Sequence, residues 1–275
     1  MASGKPVGAG KIEKGNGLFM QGNGAECLFW QTEWQGIQFK ELGSHVSPST
    51  LATADFYSEF YRLLFEIYPR YEELPIPWRN VKEETAKAIS VEIPHQSSVL
   101  SYGCGLGFVE RSLSGIRDDV FLDCYDFSEK TSRWLRAAES DHLRFVTVID
   151  AEKKYDVVYA CQVLYALPAK QVVDLIRDLS RCLMENGKII IVHTSLRPCE
   201  NGASASGYFS GLQVALYKLY SIFRRIFPKP DSQLWGWVRD DAMYGGIFEL
   251  AGFRVDKAYS SAGQSFMVLS RAGTK

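Results

Sequence analysis

Residues 98–107 read Ser-Val-Leu-Ser-Tyr-Gly-Cys-Gly-Leu-Gly. A short apolar strand containing Val99, Leu100 and Tyr102 runs into glycines at three alternate positions, Gly103, Gly105 and Gly107. Phe108, Val109 and Glu110 then open a helix. Glycine reaches positive φ without strain and lacks the Cβ that would hold a ligand off the backbone. A strand, glycine loop and helix in this order bring main-chain N–H groups and a helix N-terminus up to a bound small molecule.

Helices and strands alternate around this unit. The pattern predicts strand 97–102, helix 108–115, strand 120–125 and a helix capped by Ser128 running to about 138. Strand 143–149 ends at Asp150, and strand 155–161 ends near Gln162. Helix 169–184 carries Val172, Val173, Ile176, Leu179, Cys182 and Leu183 on one face, and Asn186-Gly187 turns the chain into strand 188–193. Apolar runs without alternation suit parallel strands buried on both faces, so the expected fold is α/β with a doubly wound sheet. The last third is predicted as loop 196–205, an apolar, basic helix 207–227, a Pro/Trp loop 228–237, helix 240–251 stopped by Gly252, and strands 253–259 and 264–270.

The N-terminal third is different. Residues 1–24 hold seven glycines and read as a disordered tail. Aromatic residues crowd 27–40, and 54–71 carries Phe56, Tyr57, Phe60, Tyr61, Leu64, Phe65 and Tyr68 mostly at helical spacing. This predicts a cap helix over the glycine loop, broken by Pro75, Pro77 and Trp78, with a further helix over about 81–90. The expected division is a tail 1–24, cap helices 25–95 and a ligand-binding domain 96–275 with an insertion over about 196–238.

Asp126 ends the second strand, 23 residues beyond Gly103, where nucleoside-binding α/β folds place the acid for ribose hydroxyls. A dinucleotide-binding G-x-G-x-x-G would need glycine at 108, and this chain has Phe108. The observed G-x-G-x-G resembles motif I of the class I S-adenosylmethionine (SAM)-dependent methyltransferases. The resemblance extends from about residue 80 to the C-terminus. It implies a Rossmann-like sheet of seven strands whose final hairpin brings in an antiparallel strand, with an inserted helix before the sixth strand, and SAM as cofactor. It would place the methionine part against Gly103, Cys104 and Gly105 of the Gly103–Gly107 loop, the ribose on Asp126, and Phe127 beside the adenine. Asp150 and Ala151 would border the adenine amino group, and Cys161 and Gln162 the sulfonium. One position departs from the family: most members carry an acid where this chain has Ser101, so another group must supply that carboxylate or binding is weaker.

Candidate bases are few. His193 ends a strand on the edge that lines sites in open α/β sheets, and Tyr165 lies just past the fourth strand of the sheet. These two are the catalytic candidates. His95 and His142 begin strands at the opposite edge. No cluster has metal-ligand spacing, and the G-x-S-x-G elbow of serine hydrolases is absent.

A net charge of −1 without a basic stripe argues against nucleic acid as substrate. Six scattered cysteines, several inside predicted elements, suit a reducing, cytoplasmic setting. The helix at 207–227 has an apolar stripe from Leu212 to Ile226 with Lys218, Arg224 and Arg225 beside it. It is read as a lid or homodimer element in preference to a membrane-interfacial helix. The expected function is methyl transfer from SAM to a small-molecule acceptor (a sugar, lipid or secondary metabolite) at oxygen. The rivals are an NAD(P)-dependent oxidoreductase and a catalytically degenerate scaffold on the same fold.

Overall fold

The computed structural model describes residues 26–194, 197–198, 208–209 and 211–273. The glycine-rich tail and most of the 196–205 loop lie outside these residues. In chain order the elements are β1 (Glu26–Gln31), β2 (Glu33–Trp34), β3 (Ile37–Gln38), α1 (Ala54–Ile67), α2 (Ile76–Glu92), β4 (Ser98–Tyr102), α3 (Phe108–Ile116) and β5 (Phe121–Tyr125). They continue as α4 (Arg133–Ala137), β6 (Leu143–Val146), β7 (Tyr155–Cys161), α5 (Ala169–Arg181), β8 (Leu183–His193), β9 (Arg197–Pro198), β10 (Tyr208–Phe209), α6 (Gly211–Ile226), β11 (Gln233–Arg239), α7 (Asp241–Leu250), β12 (Phe253–Ser261) and β13 (Gln264–Arg271).

Seven strands form one sheet in the order β12-β13-β8-β7-β4-β5-β6. The five strands from β8 to β6 in this order are parallel, and β13 is antiparallel to both β8 and β12. Alternation along β8 shows why both faces are apolar. Ile189 and Ile191 join the cluster covered by α5 and α7, while Ile190 and Val192 join the one covered by α2 and α3. All four side chains are buried. The chain builds outward from β4 through β5 to β6, then returns to build β7 and β8 on the other side. This switch leaves a crevice at the carboxyl ends of β4, β5 and β7.

A third cluster of buried side chains, mostly aromatic, covers that crevice. The side chain of Thr53 accepts the Phe56 N–H at 3.3 Å to start α1, and Phe56, Phe60, Tyr61 and Leu64 form its buried face. Trp34 stacks on Phe60 with centroids 4.7 Å apart, and Trp235 lies 5.5 Å from both Trp34 and Phe39.

The cap differs from its sequence reading in two places. Pro77 does not break a helix: it sits in the first turn of α2, where a missing N–H costs nothing, and Trp78 follows inside the helix. Residues 233–239 are not a loop. They form β11, which pairs antiparallel with β1 about two hundred residues earlier and ties the insertion to the cap. Elsewhere, Ser128 makes no side-chain cap, and β6 stops at Val146. Asn186-Gly187 lies within β8, at an irregularity where Tyr155 faces Leu183 and Val157 faces Lys188.

The apolar stripe of α6 does not pack on the core. Leu216, Leu219, Ile222, Phe223 and Ile226 are each more than half exposed. The side chains of Leu212, Ala215 and Lys218 lie outside the described residues. Arg224, by contrast, is buried and donates to Ser232 Oγ at 2.8 Å, which turns this charge inward. Among the described residues no helix is long and apolar enough to cross a membrane.

Candidate functional site

The crevice holds a cavity of about 390 Å³, within the usual range for small-molecule sites. Its floor is the glycine loop. Gly103 has φ +75°, and a Cβ there would lie 2.5 Å from Val163 Cγ2. Gly105 has φ +54°, and a Cβ there would meet nothing nearer than the Tyr61 hydroxyl at 3.9 Å, so this position opens onto the cavity. Gly107 sits further back as the residue before α3. Its φ is +71°, and a Cβ there would run into Leu135 at 2.8 Å.

The loop's N–H groups are directed into the protein. Gly103 and Cys104 both donate to the Tyr125 carbonyl, at 2.7 and 3.0 Å, and Gly107 donates to the Cys104 carbonyl at 2.9 Å. Gly105 donates to Asp126 Oδ2 at 2.8 Å. The other Asp126 oxygen accepts the Ser128 N–H at 2.9 Å. Burial pushes the Asp126 carboxyl up from its ordinary value, and these two backbone bonds pull it back. These four donors are satisfied internally and are not free to cradle a pyrophosphate.

A second carboxylate lies in the cavity wall. Glu110, in the first turn of α3, is 2% exposed. Its Oε1 accepts the Ser101 hydroxyl at 2.6 Å and the Tyr159 hydroxyl at 2.8 Å. The acid missing from position 101 is thus present beside it, carried by the helix instead of the strand. The cation of the wall is Lys82, on α2.

The rest of the wall is aromatic: Trp34, Tyr57 and Tyr61 from the cap, Trp78 from α2, Tyr102 and Tyr125 from the sheet edge. Tyr165 closes it between Tyr57 and Trp235, stacking on Trp235 at 6.3 Å. β11 comes this close because residue 236 is glycine: a Cβ there would lie 2.1 Å from the Tyr165 carbonyl oxygen. Burial pushes the Tyr165 phenol up to about 12, so it keeps its proton at neutral pH. Gln162 holds φ +58°, rare for a residue with a side chain, at the point where β7 leaves the sheet.

This architecture occurs in solved structures of methyltransferases. CalO1, a methyltransferase in calicheamicin biosynthesis in its SAH-bound form, is 16% identical over 80% of this chain and 61% of its own, with TM-score 0.56. The mitomycin 7-O-methyltransferase MmcR is 15% identical over 86% of this chain and 61% of its own, with TM-score 0.54. The magnesium protoporphyrin IX methyltransferase of Synechocystis PCC 6803, with bound SAH, is 18% identical over 78% of this chain and 96% of its own, with TM-score 0.52.

The chain has the class I methyltransferase fold.

It spans about three fifths of the length of CalO1 and of MmcR. No protein-family model matches it, and no curated protein is similar to it in sequence.

The methyltransferase fold brings Gly103, Cys104, Gly105, Asp126, Phe127, Cys161, Gln162 and Tyr165 together around one cavity. Four other candidates do not reach its wall. Gly107 packs against Leu135. Asp150 and Ala151 are exposed beyond the early end of β6, and Asp150 Oδ1 accepts the Glu152 N–H at 2.9 Å in a local turn. His193 is 3% exposed, faces Asp241 with Nε2 3.3 Å from Oδ1, and packs on Tyr244 at 4.3 Å. Burial pushes the Cys104 and Cys161 thiols up, which keeps them from acting as nucleophiles. Sequence reasoning missed Glu110 and Lys82. An acid in the first turn of a helix reads by default as a partner of the helix dipole. Lys82 carried no pattern that set it apart from the other charges of α2.

Proposed function

We propose that this chain is a SAM-dependent methyltransferase that acts on a small-molecule acceptor at oxygen. One observation carries the reading: a glycine loop and Asp126 meet at the floor of an aromatic cavity, and the loop's N–H groups are spent on protein acceptors. Such a floor suits the uncharged or cationic face of a nucleoside–amino acid ligand and disfavours a pyrophosphate, which argues against the oxidoreductase reading.

The reading assigns Gly103, Cys104 and Gly105 to the methionine part, Asp126 to the ribose hydroxyls and Phe127 to the adenine. Cys161 and Gln162 border the sulfonium, which when bound supplies a methyl group already activated for transfer. The protein's work is then to exclude water and hold the acceptor in line, a contribution of about 7–11 kcal/mol where the alignment is good. Tyr57, Tyr61, Trp34 and Trp78 give an apolar acceptor flat surfaces to pack on. Protonated Tyr165 orients it by donating a hydrogen bond. His193 lies behind the wall, and the proposal gives it no part as a base.

Calorimetry with S-adenosylhomocysteine (SAH) and with NADH tests the proposal. Saturable SAH binding without NADH binding is expected. Binding of NADH alone would overturn it. SAM turnover to SAH with hydroxylated aromatic acceptors then tests the enzymatic part, and a protein that binds SAM but consumes it with no acceptor would be the degenerate scaffold.

The exposed stripe of α6 gives a further expected result. Among the described residues, none of α6 lines the cavity. Leu219→Glu with Ile226→Glu is therefore expected to leave SAH affinity within about twofold, the range of ordinary surface substitutions. A lid that closes on the ligand would instead show a large loss by calorimetry.

A further inference from the structure

We propose that Glu110 Oε2 is the docking point for the ammonium group of an α-amino-acid ligand. The proposal rests on the SAM reading and deepens it. The two Glu110 oxygens are in different situations. Oε1 is saturated by the hydroxyls of Ser101 and Tyr159. Glu110 lines the cavity, and its Oε2 is buried with no hydrogen-bond partner among the described residues. A buried carboxylate oxygen left without a donor is costly when charged. Burial pushes its carboxyl up from the ordinary value, and the hydrogen bonds from Ser101 and Tyr159 pull it back.

Among the described residues the surroundings offer no other partner. Lys82 on α2 exerts a weak opposing pull and makes no ion pair with Glu110. The remaining titratable groups around it are Tyr71 ahead of α2, Cys104 in the glycine loop, Cys124 on β5, and Tyr159 and Cys161 on β7. Burial raises all five, so they stay neutral near pH 7 and do not compensate a Glu110 charge. An arriving ammonium would supply both the missing donor and the missing charge. Glu110 pairs with the ligand ammonium as the carboxylate, and any proton it holds in the free protein leaves to solvent. Ser101 holds the carboxylate by its other oxygen, which lets a helix residue serve from the strand position two before the first glycine.

The test is calorimetry with SAH and with 5′-methylthioadenosine, which lacks the amino-acid group, in buffers of different ionisation enthalpy between pH 6 and 8. Because burial pushes the Glu110 carboxyl up, any proton linkage on binding SAH should be a release, with affinity rising as pH rises. Glu110→Gln should abolish any such release and weaken SAH by about tenfold or more. It should leave 5′-methylthioadenosine unchanged, which also shows that the variant is folded. If wild type binds neither ligand, the SAM reading fails. If it binds SAH, and Glu110→Gln binds SAH equally well, the Glu110 assignment fails while the SAM reading stands. Equal weakening of both ligands in Glu110→Gln would make Glu110 a structural prop for the loop and would also overturn the proposal. Glu110→Asp separates charge from reach: it should retain any proton release with weakened affinity.

Discussion

Gly105→Val is expected to yield a folded protein that no longer binds SAH. The position has φ +54°, so a side chain there costs about 1–2 kcal/mol of backbone strain. For a chain of this length that lowers Tm by only a few degrees, at about 2–4 °C per kcal/mol. No steric clash adds to it, because the new Cβ would meet only the Tyr61 hydroxyl at 3.9 Å. The branched side chain instead occupies the cavity floor on which the ligand must lie. Loss of affinity by at least about a hundredfold is expected, equivalent to about 2.7 kcal/mol. Gly103 is the informative contrast. A Cβ there would lie 2.5 Å from Val163, so Gly103→Val should distort the end of β4 and lower Tm markedly. Thermal melts and SAH titrations of the two variants separate the roles. A folded Gly105→Val protein with wild-type SAH affinity would show that the ligand does not approach the loop.

The contrast between these glycines marks what the sequence makes legible. Strand, glycine loop, helix and Asp126 are all encoded within thirty residues, and local chemistry decides them. The alternation of Ile189, Ile190, Ile191 and Val192 between two faces is likewise written in the period of a strand. What escaped depends on partners distant in sequence. β11 carries two tryptophans and a glycine after a proline-rich turn, which resembles a loop until β1 is set beside it. Glu110 looks like any acid in a first helical turn until Tyr159 donates to it from 49 positions away. Asp150 and His193 lie off the cavity wall for a geometric reason. Their places were read from strand ends, but β6 stops early at Val146, and His193 turns from the crevice toward Asp241 and Tyr244. A residue's position along a strand fixes its edge of the sheet, whereas the direction of its side chain depends on what packs there.

Asp126→Ala is expected to weaken SAH by about 10- to 150-fold, the loss of roughly one charge-assisted hydrogen bond of 1.5–3 kcal/mol. The carboxylate has two tasks that the substitution removes together. It accepts the Gly105 and Ser128 N–H groups, at 2.8 and 2.9 Å, and so fixes the loop against the start of the segment after β5. In the proposed complex its remaining lone pairs accept ribose hydroxyls. Asp126→Asn separates the tasks. One amide oxygen can still accept a backbone N–H, but the NH₂ group now faces the second N–H donor and cannot accept a hydroxyl. Both variants should weaken 5′-methylthioadenosine and SAH alike, because the two ligands share the ribose. Glu110→Gln should touch only SAH. Losses at the two carboxylates should add within about 0.5 kcal/mol in the double variant if each holds a different part of the ligand. Unchanged SAH affinity in a folded Asp126→Ala protein would remove Asp126 from the site. Strong non-additivity with Glu110→Gln would mean that the two carboxylates act on one group, and the division of the ligand between them would have to be redrawn.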